Sequence, residues 1–110
     1  MAETQKIVTK ALVPIGGAGS RLLPLSRAVP KEFLPLANKP LIHILLEELK
    51  ESGIKEIIFL VTVSKHPLIS YLQRPRALEK LLEERGQKEQ LAQLLSMQEL
   101  LEGLSVSFVV

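Results

Sequence analysis

Apolar positions recur along this chain in more than one rhythm, and each rhythm predicts a different element. Residues 10–15 form a short, nearly unbroken apolar run and read as a buried strand, with Pro14 tolerable only near its end. Ile42, Leu45, Leu46 and Leu49 then fall on one face at helical spacing, with Glu47, Glu48, Lys50 and Glu51 elsewhere. Residues 40–52 therefore read as an amphipathic helix, with Pro40 suited to its first turn and Gly53 to its end. The run Ile57, Ile58, Phe59, Leu60, Val61 is apolar without alternation, as expected of a strand covered on both faces. Strand, helix and strand in this order make a βαβ unit, which predicts parallel strands and a right-handed crossover.

After a turn at His66 and Pro67, the residues Leu68, Ile69 and Leu72 predict a short helix that Pro75 interrupts. Residues 76–102, rich in Leu, Glu, Gln and Lys, read as helix broken near Gly86. Leu91, Leu94 and Leu95 mark the buried face of its second half, Met97 belongs to helix packing, and Gly103 suits the helix end. Residues 105–110 read as a third strand. The chain has 110 residues, the size of one domain, and its 46% apolar content excludes disorder.

Composition narrows the function classes. A net charge of +2 is too small to argue for nucleic acid or an anionic membrane. With no cysteine, disulfides and thiolate metal sites are excluded. No apolar run reaches the ~20 residues that span a bilayer, and the first twenty residues lack the apolar core of a signal peptide. A soluble, cytoplasmic protein is the expectation.

The segment 16–40 is different in kind. It holds three of the six glycines and four of the seven prolines, so no regular element is expected there. Gly16, Gly17 and Gly19 follow the first strand directly, where bare backbone lets N–H groups approach a ligand closely. Alone, such a run is as often a tight turn as a binding loop. It is neither a P-loop nor a GxGxxG fingerprint, because Leu22 stands where the third glycine belongs. The cations decide between the readings. Arg21, Arg27, Lys31 and Lys39 face a single acid, Glu32, within these residues. A polyphosphate needs such charge-assisted donors, and Pro24, Pro30 and Pro35 stiffen the chain that presents them.

The stretch from Gly17 through Ser20, Arg21 and Pro24, followed by Pro30, Lys31, Glu32 and Pro35, resembles the GxGTRxxP and PKxxxP signature of sugar-phosphate nucleotidyltransferases. The helical insertion at 76–102 is similar to that of bacterial-type UTP–glucose-1-phosphate uridylyltransferases, and the resemblance runs from about Lys10 to Val110. Ser20 replaces the usual threonine and keeps the hydroxyl. Ser26 and Arg27 replace Thr-Lys, and Gly16 stands where these enzymes commonly have alanine.

The resemblance implies an α/β, Rossmann-like three-layer fold with a mostly parallel sheet. On this reading residues 1–110 form the amino-terminal part of a nucleotidyltransferase domain. It implies transfer of a uridylyl group from UTP to glucose 1-phosphate, with release of pyrophosphate and the help of Mg²⁺. Arg21 is then expected on the β- and γ-phosphates and Lys31 near the α-phosphate. Gly16 and Gly17 meet the base through backbone, while Gly19 and Ser20 complete the nucleotide loop. Arg27 and Lys39 are expected to be solvated flanks, Glu47, Glu48 and Glu51 a solvated helix face, His43 structural and His66 part of a loop. The sequence contains no Asp, so the Mg²⁺ ligands are expected outside this chain, and the chain alone is expected to be inactive. Phe108, Val109 and Val110 close the sequence on an apolar run, which predicts poor stability or self-association. A homo-oligomer is compatible with all of this. The alternative is a short non-catalytic relative that binds nucleotide, or a partner subunit through an open sheet edge.

Overall fold

A computed structural model of the chain describes residues 7–16, 20–62 and 66–110. Strand β1 (Lys10–Ile15) leads through the glycine loop to a one-turn helix α1 (Leu25–Ala28) and a small hairpin, β2 (Pro35–Leu36) and β3 (Lys39–Pro40). Helix α2 (Leu41–Glu51) and strand β4 (Glu56–Val61) follow. Helices α3 (Pro67–Tyr71), α4 (Arg76–Glu84) and α5 (Lys88–Leu101) then lead to β5 (Ser105–Val109). The expected strands and helices are all present within a residue or two. Segment 16–40 is more regular than its prolines and glycines predict. Besides α1 and the hairpin, it holds two 3-10 turns, Ser20–Leu22 and Lys31–Phe33, each short enough to fit between the breakers.

The three long strands form a parallel sheet in the order β1-β4-β5, with Ile15 opposite Val61 and Phe59 opposite Phe108. Among the described residues β1 pairs only with β4, so Pro14 lies in an edge strand there, where a missing N–H is tolerated. Ile42 and Leu46 of α2, Leu68 of α3 and Met97 of α5 pack with Ile15, Ile57, Phe59 and Val61 in one core. Met97 therefore takes the central place on α5, with Leu91, Leu94 and Leu95 only half-buried.

All the packed helices share one face of the sheet. Ala11, Val13, Ile15, Ile57, Phe59, Val61, Val106 and Phe108 point into the core. Leu12 and Leu60 alternate with them and lie exposed, as does Val109. The expectation that β4 is covered on both faces is corrected: within the described residues only one face is covered. The α/β parallel fold stands, with its second helix layer missing from the described residues. Each Å² of such apolar surface left in water forgoes roughly 25 cal/mol. The purified chain is accordingly expected to melt at low temperature or to self-associate, as read by size exclusion and thermal melts. A monodisperse monomer with a sharp, cooperative melt near about 60 °C contradicts this.

One cation ties α2 to the carboxyl end of α5. Lys50 Nζ donates to the carbonyls of Glu99, Leu100 and Glu102, each at 2.9 Å, at the carboxyl end of α5. These are the carbonyls a helix leaves without intrahelical partners, and the positive charge suits that end of the dipole. Lys50→Met is expected to lower stability by about 1 kcal/mol, a loss that a thermal melt of the variant measures.

Candidate functional site

The carboxyl edge of the sheet carries the glycine loop. Gly16 leaves β1 at φ +124°, a conformation that residues with a side chain rarely adopt. A Cβ there would also stand 2.5 Å from Thr62 Oγ1, at the adjacent end of β4. Gly17 and Gly19 lie outside the described residues. Ser20 and Arg21 form the 3-10 turn after the loop, and both are exposed. Arg27 is exposed on α1.

Lys31 is brought to the same region by a different anchor. Its 3-10 turn is held through Phe33, whose ring packs 5.7 Å from that of Tyr71 and 6.4 Å from that of His66. Leu41 N–H donates to Leu34 O at 2.9 Å, joining the turn to the start of α2. Lys31 and Glu32 thereby line a cleft of about 350 Å³ with Val13, Pro14, Ile15 and Leu22. An exposed ammonium stands beside a largely apolar wall at the ligand-binding end of a parallel sheet. A phosphate held there gains more from the charge than it would in open water.

Lys39 has a partner the sequence did not announce: its Nζ donates to both carboxylate oxygens of Glu47 at 3.1 Å, while both side chains stay exposed to solvent. His66 is buried, and its Nδ1 accepts the Leu68 N–H at 3.1 Å, capping α3. Its place in a loop is thus structural. Thr62 was invisible to motif reading. Its only signal is position, one residue past the apolar run of β4 and in register with Gly16.

His43 is structural, as expected. Its Nδ1 is 3.1 Å from Tyr71 Oη, and Nε2 is 3.9 Å from Glu47 Oε1. Burial, with Lys39 adding to it, holds its pKa below the usual 6.5, although Glu47 pulls the other way. The unfolded chain therefore binds that proton more readily. The stabilisation is complete above pH 6.5 and is lost as the pH falls through the lowered value. The melting temperature is expected to drop over that window, and His43→Gln to flatten the drop in a pH series of melts.

No described helix is long and apolar enough to cross a membrane. Among the described residues no group of three or more His, Cys, Asp or Glu side chains could hold a metal ion.

Comparison with known proteins matches residues 10–105 to the nucleotidyl transferase family. The chain is 42% identical over 84 residues to the UTP–glucose-1-phosphate uridylyltransferase of Bacillus subtilis, covering 76% of this chain and 29% of that protein. It is 38% identical over 88 residues to the enzyme of the same name from Escherichia coli, covering 80% of this chain and 30% of that one. The UTP-bound UGPase of Acinetobacter baumannii superposes with a TM-score of 0.79 at 34% identity, over 93% of this chain and 35% of its own. A UDP-glucose pyrophosphorylase complexed with UDP-glucose gives a TM-score of 0.67 at 29% identity, over 93% of this chain and 34% of its own. The chain thus spans about a third or less of the length of these relatives. With the match running from the first strand, through the glycine loop, to the start of the last, the chain belongs to the nucleotidyl transferase family.

Proposed function

We propose that this chain supplies the triphosphate-binding edge of a UTP–glucose-1-phosphate uridylyltransferase. The observation that carries the reading is Lys31 lining a cleft with Ile15 at the end of β1 and Leu22, in a chain whose relatives bear that name. In the proposed reaction an oxygen of the sugar 1-phosphate attacks the α-phosphorus of UTP. One phosphorus–oxygen bond forms, the α–β anhydride bond breaks, and pyrophosphate leaves with the electron pair. Such a transfer needs alignment and charge neutralisation more than a protein nucleophile.

Arg21 would bind the β- and γ-phosphates with its planar fork, and Lys31 would meet charge developing at the α-phosphate. The Gly16 and Gly17 backbone would face the base, and Gly19 and Ser20 would close the loop on the nucleotide. Mg²⁺ does not fit the residues present. A hard cation wants several carboxylate oxygens, and the sequence has no Asp and, at the described site, only Glu32. The acids that would carry it belong to the proposed whole enzyme. A cytoplasmic location is proposed with this chemistry, since nucleoside triphosphates are kept there.

Two measurements test the proposal. Purified chain with UTP, glucose 1-phosphate and Mg²⁺ is expected to release no pyrophosphate, because the metal's acids are absent. A hybrid in which residues 10–105 replace the matching segment of the Escherichia coli relative is expected to form UDP-glucose and release pyrophosphate. A folded but inert hybrid overturns the reading.

A further inference from the structure

The Lys31–Phe33 turn has two sides. Lys31, Glu32 and Leu34 line the cleft, while Phe33 lines a separate surface pocket with Pro40, Pro67, Ser70 and Tyr71. A single 3-10 turn is a weak element by itself. It is closed here by Phe33 N–H on Pro30 O at 2.9 Å and Leu34 N–H on Lys31 O at 3.3 Å. Its place against the fold therefore depends on what Phe33 rests on.

That support is Tyr71, with His66 as a more distant neighbour. The Phe33 and Tyr71 rings stand 5.7 Å apart and inclined at 56°, a tilted arrangement that aromatic pairs favour. Tyr71 is itself fixed from two directions. It ends α3, whose Leu68 is fully buried and whose start is capped by His66. Its Oη also lies 3.1 Å from Nδ1 of His43 on α2, at hydrogen-bond distance. One side chain thus meets α2 through its hydroxyl and the turn through its ring.

We infer that Tyr71 is a positioning residue: seated on α3 and held to α2, it carries Phe33 and so sets where the backbone of Lys31 stands beside the cleft. This rests on the proposed nucleotide reading. Tyr71 lies on the other side of the turn from the cleft, so it acts on the nucleotide only through the turn.

Turnover of the hybrid enzyme gives one readout, and hydrogen exchange of the ligand-free 110-residue chain gives the other. In the hybrid, Tyr71→Leu is expected to lower kcat at least about tenfold, because small misplacements of a reacting group are costly. In a Lys31→Ala background the same change should cost less than about twofold, since the group it positions is gone. Tyr71→Phe, which keeps the ring and drops the bond to His43, should lose less than about threefold. In the chain, Tyr71→Leu should speed exchange of the peptide spanning residues 30–36 at least about fivefold and leave α5 and β5 at parent rates. Phe33→Leu, which removes the other ring of the pair, should do the same. Equal costs of Tyr71→Leu in both backgrounds overturn the inference, because a structural role alone would lower both. So does a Tyr71→Phe variant as slow as Tyr71→Leu. Exchange of the turn that changes in neither ring variant, or that quickens throughout the chain in both, overturns it as well. If the hybrid with Tyr71 and Lys31 in place makes no UDP-glucose, the nucleotide reading falls, and the exchange measurement alone decides whether Tyr71 holds the turn.

Discussion

Lys31→Ala, made in the hybrid enzyme, is expected to cut turnover by more than about 100-fold, on the order of 3 kcal/mol of transition-state stabilisation. UTP affinity should change far less. The asymmetry follows from where the side chain stands. Pro30 and the packed ring of Phe33 hold the Lys31–Phe33 turn from either side, so the backbone of Lys31 is fixed at the lining of the cleft. A charge placed at the reacting phosphorus interacts most strongly when negative charge builds there, and that lowers the barrier more than it tightens the ground state. Arg21→Ala is expected to show the opposite pattern, chiefly a raised KM for UTP, because a fork on the terminal phosphates holds substrate and transition state alike. Steady-state kinetics with both variants within about twofold of the parent (~0.4 kcal/mol) would take these residues out of the site.

The largest effect on the fold is expected from Phe59→Ala, at about 3–5 kcal/mol. Phe59 is fully buried at the centre of the middle strand, and its ring stacks on Phe108 at a centroid distance of 5.6 Å. Removing the ring leaves a cavity between strand and helices that Leu46 and Met97 cannot close without moving their helices. It also deletes the ring stack that joins β4 to β5 on the core face, beside the Ile57–Val106 pair. Because one face of the sheet already lies open, the chain has little stability to spare, and the variant should lack a cooperative melt. Phe59→Leu, closer in volume, should lose markedly less. Equal melts for Phe59→Ala and the parent would place the core elsewhere.

The sequence made the βαβ unit legible because each element there follows one period and ends on its own signal. The positive-φ glycines Gly53 and Gly103 sit just past the ends of α2 and α5, as read from composition alone. The covering of β4 was misjudged for a physical reason. An unalternating apolar run records what a strand is built to bury, whereas the described residues cover only the face holding Ile57, Phe59 and Val61. In the candidate site, Arg21 and Lys31 stand out in the sequence as spaced cations among prolines and glycines; both are exposed, and of the two only Lys31 lines the cleft. The pairing of Lys39 with Glu47 is not legible in the sequence, since the partner lies eight residues on and is brought near by the start of α2. The anchoring ring of Phe33 acts through its three-dimensional neighbours Tyr71 and His66, and no local pattern announces it.

The central claim, that the segment between β1 and α2 holds the triphosphate, is tested most directly by hydrogen exchange of the chain with and without saturating UTP. Protection is expected in peptides covering residues 16–22 and 30–34, reduced in Arg21→Ala and Lys31→Ala, while the α4–α5 helices exchange unchanged. Protection confined to the separate cavity beside His43 and Tyr71, or none at either place, would contradict the account.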